Sequence, residues 1–209
     1  MKQTAEIREI IEILKGLYPD ALCSLQYEKD YELLFAVRLS AQCTDARVNM
    51  VTPALFARFP TLECFAEADP KDVGEYIHSC GFYNSKSKDL VACAQQLIEK
   101  HGGKVPGTME ELTALPGIGR KTANLILGDI YGEPSYVCDT HCIRITGRLG
   151  ITDGSKDPLQ VEKQLRVALP PEESGDFCHR MVLFGRDTCT ARSPRCGSCP
   201  LRELCDGRQ

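Results

Sequence analysis

Three observations predict an all-α fold for this 209-residue chain. Apolar residues recur at three- and four-residue spacing along most of its length. Caps and stop signals divide those runs into many short helices joined by short loops. Stretches that alternate apolar and polar residues, as half-buried strands do, are scarce.

The elements follow in order. Thr4 is expected to cap a first helix whose Ile7, Ile10, Ile11 and Leu14 share one face, with Gly16 and Pro19 near its end. Residues 30–42, DYELLFAVRLSAQ, are apolar nearly all round, as a buried helix is. Thr44 caps the next helix, which carries Val48 and Val51. Asp69-Pro70 places a cap before a proline at the first helical position and opens a helix with Val73, Tyr76 and Ile77 that stops at Gly81. From Ser85 to Lys100, Leu90, Ala94, Leu97 and Ile98 repeat until Gly102-Gly103. Thr108 and Glu111 form a capping box for a short helix that Pro116 ends. Asp139 precedes a helix running to Arg148 and Gly150. Pro158 to Leu169 forms another, with Val161, Leu165 and Val167 partly on one face, and residues 173–187 form the last long one.

Composition bounds the function. At 43% hydrophobic and 26% charged, the chain can fill a core and remain soluble. No apolar run approaches the roughly 20 residues that span a bilayer. The Glu-rich start, MKQTAEIREIIEILKG, lacks a signal-peptide pattern, so a cytoplasmic protein is expected, nucleoid-associated in a prokaryote. The net charge of -4 argues weakly against a phosphate-rich partner. Its distribution matters more. Acids crowd the first third (Glu6, Glu9, Glu12, Asp20, Glu28, Asp30, Glu32), and arginines the last (Arg180, Arg186, Arg192, Arg195, Arg202, Arg208).

The stretch LPGIGRKTANLIL, residues 115–127, joins two of the helices. Gly117 and Gly119 permit positive φ or close approach by another backbone, and Ile118 packs inward to hold the loop. A tight glycine loop feeding a helix N-terminus at Arg120 is an anion site that a phosphodiester fits. The competing reading is a packing corner that needs glycines sterically. Lys121 falls in the first turn, where the helix dipole disfavours its ammonium form, and partial desolvation would act in the same direction. That environment suits a Schiff-base nucleophile, although an exposed lysine paired with phosphate or Glu has the same spacing. Asp139, in YVCDTH, is explained most simply by helix capping, and the loop marked by Gly132, Pro134 and Ser135 offers the second reading, a carboxylate carried into a cleft facing Lys121. His141 either orients that site or packs.

The chain has twelve cysteines. Eight (Cys23, Cys43, Cys64, Cys80, Cys93, Cys138, Cys142, Cys178) are scattered and read mostly as small core hydrophobes. Cys189, Cys196, Cys199 and Cys205, spaced C-x6-C-x2-C-x5-C among polar and basic residues, call for a metal. Zinc and iron–sulfur both remain open on spacing alone, with Pro200 after a ligand as in some iron–sulfur runs.

The glycine loop resembles the helix-hairpin-helix motif of DNA repair proteins, which binds phosphates through main-chain amides and so needs few basic side chains. LPGIGRKTAN followed by VCDTHCIR resembles the endonuclease III family, base-excision DNA glycosylases with lyase activity. The likeness extends to LSAQCTD (39–45), GFYNSKSKDL (81–90), FGRDTC (184–189) and the terminal cysteines, nearly the whole chain. It implies two all-α lobes with a cleft between them. A helical barrel-like lobe, residues 22–131, carries the hairpin (about 108–131); a cluster lobe combines residues 1–21 and 132–209.

The resemblance also implies roles. Lys121 is the nucleophile and Asp139 its partner, facing each other from different lobes. A damaged pyrimidine is flipped out of double-stranded DNA. The Lys121 amine displaces it at C1′ to give an imine, and beta-elimination breaks the strand 3′ to the lesion. Abasic sites are also substrates. Gln42 enters the gap left by the flipped base, and Phe82 stands where relatives often carry a leucine wedge; a core-facing Phe82 is the alternative. Asn84, Gly117, Ile118, Gly119, Arg120 and Thr122 lie in the matching DNA-contact segments. The four terminal cysteines hold a [4Fe–4S] cluster that orders a loop presenting Arg192 and Arg195 to the DNA backbone. A monomer is expected. The competing functions are a non-catalytic hairpin protein, an iron–sulfur electron carrier, and a mismatch or adenine glycosylase without lyase activity, which Lys121 disfavours.

Overall fold

The computed structural model describes residues 2–207 and is helical throughout, with no strand among the described residues. Arg208 lies outside them. Contacts divide the chain into two compact units, Cys23–Tyr131 and Met1–Leu22 with Gly132–Gln209.

The first unit holds α2 (Asp30–Leu39), α3 (Asp45–Arg58), α4 (Leu62–Ala66), α5 (Pro70–Ile77), α6 (Tyr83–His101), α7 (Met109–Thr113) and α8 (Arg120–Asp129). Its starts are set by the expected side chains. The Thr44 side chain accepts from Arg47 N–H, Asp69 from Lys71 N–H at 2.8 Å, and Thr108 from Glu111 N–H at 3.2 Å. Each such cap contributes about 1 kcal/mol. α2 buries Leu33, Leu34, Phe35, Ala36, Val37 and Leu39, so its all-round apolar character does mark a central helix. Phe35 meets Phe65 edge-on at 5.0 Å between centroids, and α4 and α5 both pack on α6.

The second unit holds α1 (Thr4–Leu17), α9 (Thr140–Leu149), α10 (Pro158–Ala168) and α11 (Ser174–Asp187). α11 packs on α1 and α9. Ile7, Ile10, Ile11 and Leu14 are buried as their spacing requires.

Several expectations need correction. Thr4 is the first helical residue and Gln3 the cap, its N–H bound by the Glu6 carboxylate at 2.9 Å. α2 ends at Leu39, so Gln42 lies beyond the helix rather than in its last turn. α6 begins at Tyr83, two residues before Ser85. On α10, Val161 and Leu165 are buried, but Val167 is 87% exposed: two residues beyond Leu165 it has turned to the opposite face. Of the scattered cysteines, Cys80, Cys93, Cys138, Cys142 and Cys178 are buried, while Cys23, Cys43 and Cys64 are half-buried.

Candidate active site and cluster loop

The hairpin is α7, a glycine loop and α8. Gly117 has φ +72°, and a Cβ there would lie 2.5 Å from Arg38 Nε and 2.7 Å from Asp89 Oδ2. Those two form an ion pair between α2 and α6, with Arg38 Nη2 to Asp89 Oδ2 at 2.6 Å, directly beneath the loop. Ile118 is buried and anchors the turn from inside. Gly119 differs from the expectation. Its φ is -96°, any residue could adopt it, and nothing lies within 4 Å of an added Cβ. Neither backbone strain nor internal packing requires this glycine. It is the N-cap of α8 and has no side chain to satisfy the first-turn amides. Arg120 and Lys121 are exposed and Thr122 is half-buried. The chain itself does not bury Lys121, so the desolvation considered for its amine has to come from elsewhere.

Gln42 and Phe82 are the non-glycine residues with positive φ, 54° and 49°, among the described residues. Left-handed backbone costs a residue with a Cβ about 1–2 kcal/mol. Such strain collects where a side chain must be aimed. Phe82 is 67% exposed, which excludes the core-facing alternative, and Gln42 is exposed as well. Asn84 is exposed in the first turn of α6.

Asp139 is in the other unit, at the N-cap of α9, where its Oδ1 accepts Cys142 N–H at 2.7 Å. Ser135, Tyr136, Val137 and Cys138 leading to it are buried, so this segment is packed rather than a free loop. Ser135 N–H donates to Ser174 Oγ at 3.0 Å, and Arg166 lies 4.6 Å over the Tyr136 ring. Behind Asp139, the neighbouring thiols of Cys138 and then Cys178, followed by burial, hold the Cys142 thiol well above its usual range. His141 is half-buried, and its Nδ1 lies 3.2 Å from Arg144 Nη2. Burial, ahead of the opposing Asp139 charge, lowers its pKa. Its ring fits because residue 185 is glycine: a Cβ there would collide with Nδ1.

Cys189, Cys196, Cys199 and Cys205 line one cavity together with Arg148, Arg195 and Arg202. No three Cys, His, Asp or Glu side chains converge on a single-ion site among the described residues. Burial, then the neighbouring cysteine charges, raise the Cys199 and Cys205 thiols, a repulsion that a bound cationic centre offsets. Arg148 fastens the loop, donating from Nη1 to Cys189 Sγ at 3.2 Å and Thr190 O at 2.8 Å, and from Nη2 to Ala191 O at 3.0 Å. Arg144 holds Cys189 O at 2.9 Å. Arg192 is exposed; Arg195 is also exposed, 3.6 Å from Asp187.

Motif reading missed Arg38, Asp89, Lys86, Arg144 and Arg148. Lys86 did carry a signal: it stands four residues before Leu90 on the apolar stripe of α6, and it is 1% exposed.

Residues 35–171 match the HhH-GPD superfamily base excision DNA repair proteins, and residues 189–205 match the iron-sulfur binding domain of endonuclease III. The chain is 45% identical to an endonuclease III of Synechocystis sp., over 96% of this chain and 92% of that protein. To an endonuclease III of Bacillus subtilis it is 40% identical, over 98% and 94%. A solved structure of a trapped endonuclease III–DNA covalent intermediate superposes with a TM-score of 0.94 at 40% identity, covering 99% of this chain and 97% of that one. The glycine hairpin, the two strained tips and the cysteine loop thus sit in a chain that belongs to the endonuclease III family, a bifunctional DNA glycosylase and AP lyase of base excision repair with a [4Fe–4S] cluster.

Proposed function

We propose that this enzyme removes oxidised pyrimidines from double-stranded DNA and cleaves the resulting abasic sites, with Lys121 as nucleophile and Asp139 as its carboxylate partner. One observation carries the assignment: Lys121 stands exposed in the first turn of α8, directly after a glycine N-cap that supplies no side-chain cap. Main-chain amides of Gly117 and Gly119 grip a phosphate there, beside Ile118, whose own N–H donates to Leu115 O at 3.2 Å, and flanked by Arg120 and Thr122. The Lys121 amine attacks C1′ and the base departs with the C1′–N bond electrons. Asp139 offsets positive charge on the sugar and assists the proton transfers. Loss of a C2′ proton from the imine then expels the 3′ phosphate. The covalent DNA intermediate trapped for a 40%-identical relative supports this chemistry.

Gln42 and Phe82 fill the space vacated by the flipped base, and Asn84 contacts the backbone beside them. Cys189, Cys196, Cys199 and Cys205 are the cluster ligands. When bound, the cluster cross-links the loop that presents Arg192 and Arg195 to phosphate. The enzyme works as a monomer in the cytoplasm, on the nucleoid in a prokaryote; no helix among the described residues is long and apolar enough to cross a membrane.

The decisive test is borohydride trapping on a duplex with one oxidised pyrimidine. The intact enzyme is expected to give a covalent complex and a nick, and Lys121→Ala neither. Full cleavage by Lys121→Ala would refute the Schiff-base assignment.

A further inference from the structure

Lys86 has no part in the mechanism above, yet it is among the most deeply buried side chains of the molecule at 1% exposed. Its ammonium group donates to Leu39 O and to Cys80 O, both at 2.8 Å. These two carbonyls come from different segments. Leu39 is the last residue of α2, and Gln42 follows three residues later. Cys80 ends the 3-10 turn 78–80, and Phe82 follows two residues later. Each carbonyl is thus the last regular backbone group before a residue forced into left-handed φ. The Lys86 N–H also donates to Phe82 O at 3.0 Å. One residue therefore grips both tips, through its side chain and its own main chain. Cys43 and Cys80 stand one beside each tip, and burial, then the nearby Cys43, pushes the Cys80 thiol up to about 11.

We propose that Lys86 is a positioning residue that locks the Gln42 and Phe82 tips into one rigid wedge, so that both enter the duplex as a unit when a base is flipped. This rests on the reading of Gln42 and Phe82 as inserted residues. The physical reason lies in the cost of the ammonium. Burying a charge is strongly unfavourable, and a methionine of similar length would fill the same space without that penalty. Desolvation does lower the Lys86 pKa. What the charge supplies and methionine cannot is a pair of strong hydrogen bonds to carbonyls at helix ends, where the dipole favours a cation. Two strained tips held by one clamp need no ordering when they enter DNA, and preorganisation of this kind lowers the cost of insertion.

The test compares Lys86→Met with Gln42→Ala and Phe82→Ala in two reactions. One is base excision from a duplex carrying an oxidised pyrimidine, which needs insertion. The other is lyase cleavage of an abasic site in a single strand, which has no opposing base to replace. Lys86→Met is expected to lower duplex excision at least tenfold and to leave single-strand cleavage within twofold, with the visible cluster absorbance unchanged. A general loss of folding would depress both reactions and the absorbance together. Equal effects of Lys86→Met on the two reactions, with the tip variants still selective, would overturn the clamp while leaving insertion intact. Tip variants that are themselves unselective would overturn the insertion reading, and the clamp with it. Should Lys86→Met fail to fold, Lys86→Gln, which keeps amide donors without the charge, must show the same selective loss; unchanged selectivity overturns the proposal.

Discussion

Lys121 and Asp139 each carry two explanations at the same position, and single substitutions separate them. Asn is as good an N-cap as Asp, so Asp139→Asn should keep α9 intact, with stability changed by less than about 0.5 kcal/mol. Its lyase rate should nevertheless fall by roughly 10- to 100-fold if the carboxylate acts on the sugar or the amine. Asp139→Ala should lose the rate and also about 1 kcal/mol of stability. Denaturant melts beside single-turnover nicking rates decide it, and a fully active Asp139→Asn reduces Asp139 to a cap. His141 makes a separate prediction. Burial lowers its folded pKa, so the unfolded chain takes up the proton first as pH falls. Its contribution to stability is complete above the unfolded value, near 6.5, and is lost as pH drops below it. Melting temperature should therefore decline from pH 7 to pH 5, and His141→Asn should flatten that slope.

At the scale of the element, the two hairpin glycines have opposite reasons to exist. Gly117 is required by the fold, because its φ is +72° and its space is occupied by the Arg38–Asp89 pair. Gly117→Ala should destabilise the protein by about 2 kcal/mol and displace the loop. Gly119→Ala meets no atom and no forbidden φ, so its stability cost should stay within about 1 kcal/mol. In the proposed phosphate site, a Cβ at Gly119 would crowd the bound group. Affinity for a duplex with a stable abasic analogue should therefore fall several-fold for Gly119→Ala in a protein that melts nearly normally. Equal binding by Gly119→Ala and the unmodified enzyme would place the phosphate elsewhere.

Over the whole molecule, a net charge of -4 has to coexist with DNA binding. The proposed contacts, main-chain amides and a local basic loop, would resolve this, because affinity depends on where charge meets phosphate rather than on the total. Replacing Arg192 and Arg195 together by Ala should weaken binding on all sequences and reduce the salt-dependence slope by about 1–2. The purified protein should be yellow-brown, with iron and no stoichiometric zinc, and Cys199→Ser should lose that colour and the loop's order. A colourless zinc protein would overturn the cluster assignment.

The sequence by itself determined the helical class, most helix starts, the hairpin, the cysteine loop and the family. These are local matters: a cap, a glycine at a turn or a ligand spacing acts within a few residues and leaves its trace there. It also singled out Gln42 and Phe82, although it placed Gln42 inside a helix that stops at Leu39. Only the tertiary structure decided why Gly117 must be glycine, what fastens the cysteine loop, and that Lys86 ties two tips together. Those facts depend on Arg38 and Asp89, on Arg148 and Cys189, and on Leu39, Cys80 and Lys86. Residues so distant along the chain meet only because the core between them packs one way, and no spacing rule records such a meeting.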